Sequence, residues 1–512
     1  MNLEPMKKYN KIFKTSDLKE IDRYTVEHEP ISSSLLMKRA AEAIACRLLK
    51  IFPNNSIFNI VSGVGNNGGD GFALAGILLE KGYEVVVYHV WTGACLSADC
   101  KKYREDYLAR SGSCVDVREI SDFDAESVEG IWIDALFGAG LSRPVTGWCA
   151  GVIDRINRSV LPVVAVDIPS GLLGEDNAKN TGSIMEADYT LTFQFPKLSF
   201  MFPENYRYVG DFEVLDIGLH PEILRDLFSS YFYLTPDVLA ARLPKVGKFT
   251  HKGEMGHALL IAGSYGMMGA AILAAEGALH SGVGLLTLHL PRSLKKIVHL
   301  AVPEVLIEED VNENCFSRIF DCSKYRVVGI GPGIGTSTET AFGLERLLKD
   351  WKGRMLLDAD ALNLLAADAR LLKLLPESAV LTPHPKEFER LAGKSENDFD
   401  RLNKLSIFAE KYNVYVVLKG AHSVVATPEG KCYFNMSGNP GMAKGGAGDV
   451  LTGIITGLLA SGMPVPDAVL TGVFVHGMAG DLAREEMGVR GMKSGDIIAF
   501  LGKAWRKLET LV

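Results

Sequence analysis

The chain holds 512 residues, 47% of them hydrophobic and 23% charged, with a formal net charge of -8. That length exceeds one ordinary domain and fits roughly two to four at about 150 residues each. The composition is that of a soluble globular protein, and the acidic balance argues against non-specific nucleic-acid binding while leaving room for a local basic pocket or an anionic ligand.

Residues 1 to 30 carry charged groups throughout and no apolar core, so no secretory signal is expected there. The eight cysteines are scattered and form no C-x-x-C pair, which suggests neither a zinc site nor a disulfide framework and makes a reducing, cytoplasmic location the expectation. Low-charge stretches such as "VLTGIITGLLASG" (450–462) fall short of the ~20 residues that span a bilayer, so no membrane association is expected.

The first predicted element is a helix around "SSSLLMKRAAEAIACRLLKIF" (32–52), and strands follow at 57–63, 84–90, 130–138, 163–171 and 187–193. Spacers of helix length, such as 97–112 and 147–158, separate them. Short β-rich apolar runs alternating with helices indicate parallel strands covered on both faces, a Rossmann-like three-layer α/β/α domain. The stretch 215–256 breaks the rhythm, and a second α/β series begins with strands at 258–264, 284–291, 326–333, 355–360, 379–385 and 414–420. A closing pair of helices brackets "GGAGDVLTG". The halves share a class but not a motif order, so they are no internal repeat, and the boundary is placed near 230, giving domains 1–230 and 231–512.

In the first half, "VSGVGNNGGDG" (61–71) raises the sharpest question. Its "GVGNNG" fits the weak G-x-G-x-x-G dinucleotide fingerprint, but the second strand ends in His89, Val90 and Trp91 where that fingerprint wants an acidic residue. No G-K-[ST] follows, so a phosphate loop of the lysine-bearing kind is also disfavoured. What remains is a run of backbone N–H groups opening a helix, able to hold phosphate, with Asn66, Asn67 and Asp70 supplying oxygens that suit a hard cation or a sugar hydroxyl. "IDALFGAGLSRP" (133–144) and "VDIPSG" (166–171) place Asp134 and Asp167 at strand ends, with Ser170 and Arg143 on the same rim. Ligands of open parallel sheets bind at that carboxyl edge.

"GNNGGDG", "DALFGAGLSRPVTG" and "AVDIPSGL" together resemble the YjeF-type N-terminal domain of the NAD(P)H-hydrate repair family, over roughly residues 10 to 225. The resemblance implies an NAD(P)H-hydrate epimerase. It implies that Asn66, Asn67, Gly68, Gly69 and Asp70, with Gly138, Ala139, Gly140, Leu141, Ser142, Arg143 and Pro144, cradle the damaged dinucleotide. Asn67, Asp134 and Ser170 would hold a potassium ion, and Asp167 would contact the hydrated ring as acid/base. Lys197 is either that group or a phosphate contact, and taken by itself reads as a surface lysine.

In the second half, "NPGMAKGGAGDVLTG" (439–453) leaves the backbone amides around Gly445, Gly446 and Gly448 free at the start of an apolar helix, with Asp449 in its first turn. That is an anion hole beside a carboxylate placed to accept a hydroxyl proton. "VVLKGAHSVV" (416–425) reads as strand, turn and strand, "GIGPGIG" (329–335) as another glycine loop, and "TPHPKEFERL" (382–391) fixes His384 between two prolines. Asp358 and Asp360 in "LLDADALNLL" read equally well as turn and cap residues.

This set resembles the ribokinase-like superfamily, and "HKGEMG", "GIGPGIG", "LDADALNLL", "TPHPKEFERL" and "GGAGDVLTG" resemble the C-terminal domain of the same repair family, over roughly 235 to 510. The resemblance implies an ADP- or ATP-dependent (S)-NAD(P)H-hydrate dehydratase, with magnesium accompanying the nucleotide. Ala270, Gly333, His384 and Asp449 would contact the hydrate, while Lys419, Gly420, Ala421, His422 and Ser423, with Gly445, Gly446, Ala447 and Gly448, would bind the nucleotide. The sequence departs from the family pattern at Lys386, where glycine is frequent. A homo-oligomer is expected. The competing readings are a ribokinase-type kinase of a vitamin alcohol carrying a fused nucleotide-binding domain, and a binding scaffold without turnover.

Overall fold

The computed structural model describes residues 10–53, 56–126, 128–318 and 321–511, so the first nine positions of the 1–30 stretch lie outside the described residues. The chain forms two compact units, one chiefly Lys11–Ser229 and the other Ser230–Glu396 with the segment from Asp400 onward.

In the first unit seven strands lie in the order Ser113–Val117, Glu84–Val90, Ile57–Ser62, Ile131–Ala135, Val163–Val166, Tyr189–Phe193 and Asp211–Leu215, all parallel. The central strands are apolar on both faces because helices cover both. On one side Met37 and Ile44 of helix Ser33–Ile51, Phe72 of helix Asn66–Glu80 and Tyr107 of helix Ala98–Ala109 meet Phe58, Ile60 and Ile133. On the other, Val152, Ile153 and Ile156 of helix Trp148–Arg158 meet Val61, Trp132 and Val163. The chain runs outward from Ile57–Ser62 and then returns to its other side at Ile131–Ala135. Loops leaving those two neighbours diverge and open a crevice, the usual ligand position in such a sheet.

Two strands here escape the sequence pattern. Ser113–Val117 and Asp211–Leu215 are the edges of the sheet, with exposed and half-buried positions that keep polar residues.

The second unit carries a larger sheet. Its strands lie in the order Tyr231–Tyr233, Cys432–Phe434, Val424–Ala426, Tyr415–Leu418, Val380–Leu381, Arg354–Leu357, Val327–Ile330, His257–Ile261, Leu285–Leu290 and Leu306–Glu309. Pairing is parallel from Leu306–Glu309 through Tyr415–Leu418 and antiparallel across Tyr415–Leu418, Val424–Ala426 and Cys432–Phe434. Strand Tyr231–Tyr233 falls inside the stretch expected to be irregular, and Leu306–Glu309, "LIEE", is a short edge strand that periodicity does not single out.

Helix Ala447–Ala460 packs tightly on helix Met268–Leu279. A Cβ on Gly453 would fall 2.0 Å from the Ala274 carbonyl oxygen, so small residues let the two backbones touch and fix where the glycine-rich helix begins. No helix among the described residues is long and apolar enough to cross a membrane.

Candidate functional sites

The crevice of the first unit is built from three strand ends. Helix Asn66–Glu80 starts there because Gly65 provides an extended N-cap. Asn67 is buried and donates from Nδ2 to the Phe137 carbonyl at 3.1 Å. Asp134 is 1% exposed; its Oδ1 accepts from Ser170 Oγ at 2.5 Å and from Leu136 N at 3.2 Å, and its Oδ2 accepts from Ser170 N at 2.7 Å. Ser170 Oγ also lies 3.2 Å from the Phe137 carbonyl. Asn67 and Ser170 therefore meet at the Phe137 carbonyl, and Asp134 holds Ser170 there. Burial pushes the Asp134 carboxyl up to about 6, against the hydrogen bonds from Ser170 and Leu136 that favour its ionised form.

Asp167 follows strand Val163–Val166 with φ 68, a left-handed conformation that side chains other than those of Asn and Asp rarely adopt. Its Oδ1 accepts from Lys197 Nζ at 2.6 Å. Lys197 is 2% exposed and also donates to Thr192 Oγ1 at 3.0 Å. The expectation of a surface lysine is thus corrected: strand Tyr189–Phe193 and the turn after it carry Lys197 inward to the carboxylate.

Two more carboxylates face this pair. Asp22, on helix Leu18–His28, is open to solvent on one side, yet the surrounding protein withdraws enough water to push it up to about 6, helped by Asp167 and opposed by Lys197. Half-buried Asp70 is raised well above the carboxylate range, first by burial and then by Asp167 and Asp22. Asp22 is the residue that sequence reasoning missed here, since it reaches the crevice from a helix that no motif marks. The segment from Gly138 to Pro144 turns through a bond from Leu141 N to the Gly138 carbonyl and leaves Ser142 and Arg143 exposed. Gly138 meets Asn67, whose Cβ would lie 3.1 Å from a Cβ placed there.

In the second unit the N-cap of helix Ala447–Ala460 is Gly446 at φ 95. The backbone there calls for glycine, and a Cβ would also push Leu273 Cδ1 aside from 2.5 Å. Ser494 Oγ donates to the Gly445 carbonyl at 2.8 Å and steadies the loop. Asp449, one turn in, is pushed up to about 6, first by burial and then by Asp358, with Lys419 opposing. Lys419 Nζ donates to Asp358 Oδ1 at 2.8 Å, while Thr452 Oγ1 donates to Asp358 Oδ2 at 2.7 Å. A Cβ on Gly448 would stand 3.4 Å from Lys419 Nζ, which places the lysine beside the glycine loop. Burial works against the Lys419 charge, but Asp358 and Glu387 together raise it.

Asp358 and Asp360 therefore differ in what they do. Asp358 occupies a helix N-cap position without a side-chain capping bond and holds the lysine instead, whereas Asp360 Oδ2 accepts from Gly335 N at 2.9 Å and fixes the glycine loop 329–335. Gly333, at φ 63, packs against Ala270: a Cβ on the glycine would meet the alanine Cβ at 3.3 Å. His384 caps helix Pro385–Ala392, its Nδ1 accepting from Lys386 N at 3.1 Å and Glu387 N at 3.3 Å. Exposed Lys386 thus takes part through its backbone. In the turn 419–423, Ser423 Oγ bridges the Gly420 N–H at 3.2 Å and the Gly420 carbonyl at 3.0 Å, with Ala421 exposed and His422 half-buried. His476, unmarked in the sequence, hydrogen-bonds the backbone of Ala447 and is pushed down to about 4 by burial, so it is neutral at pH 7.

A switch-point crevice in one α/β unit, and in the other a carboxylate at a glycine-capped helix start beside a half-buried lysine, define a two-site enzyme of nucleotide chemistry. Residues 33–199 match the family model described as the YjeF-related protein N-terminus, and residues 258–503 match the one for NAD(P)H-hydrate dehydratase. The bifunctional NAD(P)H-hydrate repair enzyme Nnr of Thermofilum pendens is 36% identical, over 98% of this chain and 97% of its own. The Escherichia coli K12 enzyme of that name is 32% identical, over 98% and 95%. The ADP/ATP-dependent NAD(P)H-hydrate dehydratase of Bacillus subtilis, crystallised with ATP and magnesium, is 31% identical over 54% of this chain and 98% of its own, with a TM-score of 0.49. The chain belongs to the family of bifunctional NAD(P)H-hydrate repair enzymes. The full-length relatives set aside both the vitamin-alcohol kinase and the scaffold without turnover.

Proposed function

We propose that this chain interconverts the R and S hydrates of NADH and NADPH in its first unit and dehydrates the S form in its second, at the expense of ADP or ATP. The observation that carries this reading is the Asp449 carboxylate, in the first turn of a helix whose glycine cap is held left-handed, beside Lys419.

In the second unit the glycine-loop amides and Lys419 receive the nucleotide phosphates, with magnesium accompanying them, and Gly333, Ala270 and His384 border the hydrate. Asp449 takes the proton of the hydrate hydroxyl as its oxygen attacks the terminal phosphorus. The bond from that phosphorus to the bridging oxygen breaks, leaving AMP from ADP or ADP from ATP. The ring-nitrogen lone pair then expels phosphate from the neighbouring carbon, and loss of a ring proton restores the dihydropyridine. Phosphorylation converts a poor leaving group into a good one.

In the first unit Asp167 protonates the leaving hydroxyl and later deprotonates the returning water, and Lys197 holds it in place. Asn67, Asp134, Ser170 and the Phe137 carbonyl present amide, hydroxyl, carbonyl and one carboxylate oxygen. That hard, singly charged donor set suits a potassium ion. The ion would offset the buried charge of Asp134 and fix the loop from Leu136 to Pro144.

The test is recovery of reduced-nicotinamide absorbance when the purified chain meets a mixture of R and S hydrates with magnesium and ADP or ATP. The reading expects complete conversion to intact dinucleotide with one inorganic phosphate released per turnover. A stable phosphoester, or a halt once the S form is consumed, contradicts it.

A further inference from the structure

The second strand of the first unit ends in a group the epimerase chemistry leaves unused. Register sets its level. Ser62 pairs with His89 and Val90 with Val117, so Trp91 and Arg118, each one residue further, stand level with the glycine loop that begins at Gly63. Arg118 lies over the Trp91 ring at 4.9 Å, and Arg104 lies within 5.6 Å of the same ring. Arg104 Nε donates to His89 Nδ1 at 3.1 Å and its Nη2 to Asp116 Oδ1 at 3.3 Å, so Arg104 is committed. Arg118 is not: its side chain is 65% exposed, and its ion pair with Asp116 Oδ2 is a loose 3.6 Å. Burial pushes His89 down to about 4, so it adds no charge, and the patch sets Arg104 and Arg118 beside Asp116 and Asp122, whose Oδ2 accepts from Arg118 N at 2.9 Å.

The patch lies at a telling distance. From Asp167 across the strands ending at Ala135, Ser62 and Val90 there are three strand spacings, about 14 Å in all, and Arg118 is one spacing further. A dinucleotide whose reactive ring meets Asp167 and whose pyrophosphate meets the glycine loop at the middle strand must send its adenosine toward Trp91 and Arg118. In a sheet of this kind an arginine at the end of the second strand's neighbourhood accommodates a ribose 2′-phosphate.

We infer that Arg118, its guanidinium plane supported by Trp91, receives the adenosine 2′-phosphate of NADPH hydrate and sets the preference of the epimerase site for the phosphorylated over the plain dinucleotide. This rests on the assignment of the first unit as the epimerase. A planar guanidinium laid on an indole keeps its N–H edge free for two parallel bonds to a phosphate. The loose pair with Asp116 is what such a phosphate displaces.

The experiment has two arms on the full chain. In the first, the ratio of kcat/KM for epimerisation of NADPH hydrate to that for NADH hydrate is compared between the parent, Arg118→Gln and Arg118→Lys. The ratio should fall roughly tenfold or more in Arg118→Gln and recover in part with lysine. In the second, the Trp91 indole N–H resonance, assigned through Trp91→Phe, is followed during titration with adenosine 2′-monophosphate or adenosine. It should move saturably with the phosphate alone, and not in Arg118→Gln. An unchanged ratio, or an indole that ignores the 2′-phosphate, overturns the inference. A parent chain that epimerises neither hydrate while the indole still responds removes the epimerase reading and leaves the phosphate site standing.

Discussion

Lys197 Nζ stands 2.6 Å from Asp167 Oδ1, and both side chains are buried, Lys197 at 2% and Asp167 at 13% exposure. An ammonium so enclosed orients the carboxylate in a crevice it shares with Asp22 and Asp70, both pushed toward their neutral forms. Asp167→Asn should lower interconversion of the hydrates by about a hundredfold or more. Asparagine tolerates the left-handed backbone at φ 68, so the fold should hold. A mixed hydrate pool followed with ADP would then show fast loss of the S form and persistence of the R form; drainage of the whole pool at the parent rate would show that Asp167 is not the acid/base.

Removing only the lysine is a different perturbation. Lys197→Met leaves Asp167 buried without its cation and should cost about 3 kcal/mol of stability. The double variant Lys197→Met with Asp167→Asn should regain more than half of that in a denaturant titration, because no unpaired charge remains. Equal stability of the single and double variants would show that the pair is not coupled.

Asp449 carries a pH signature in both activity and stability. Its carboxyl is pushed up to about 6 in the fold, so dehydration should rise with pH through that value as the base form appears. The stability effect has the opposite sense. Between the ordinary carboxylate value and about 6 the native state binds the extra proton, so stability falls as pH rises through that window. Asp449→Asn should therefore abolish dehydration, leave interconversion of R and S hydrates intact, and stabilise the fold by about 1–2 kcal/mol at pH 7.5, with solvent screening allowed for. Near pH 3.5 the gain should vanish. Thermal unfolding at the two pH values checks the sign.

The donor set around Asp134 makes a prediction that turnover does not enter. Replacing choline chloride with potassium chloride at constant ionic strength should raise the melting temperature of the first unit by about 2 °C or more. Asp134→Asn should remove most of that rise. Equal melting temperatures in the two salts would exclude a structural potassium site.

Much of this organisation is readable in the chain. The runs "IFNIVS", "EVVVYHV" and "VVAV" are apolar because helices cover them on both faces. What periodicity does not mark are the edges. "SCVDV" at 113–117 and "DFEVL" at 211–215 keep polar residues wherever one face meets water, so they lack the signature of a buried strand. The motifs locate Asp134, Asp167 and Asp449, but partners supplied by remote segments stay hidden. Asp22 comes from an unmarked helix, and Lys197 looks like any exposed lysine until strand Tyr189–Phe193 is seen to turn it inward. Asp358 reads as a helix cap because its role depends on Lys419, 61 residues away.

The opening glycines differ in how freely their positions can drift over evolutionary time. A methyl on Gly63 would land 2.0 Å from the Leu136 carbonyl oxygen, and one on Gly68 would land 1.9 Å from that of Gly63, whereas Gly65 has nothing within 4 Å. Among descendants of this gene, alanine or serine could appear at 65 without striking the protein itself, while 63 and 68 stay fixed by main chain pressed against main chain.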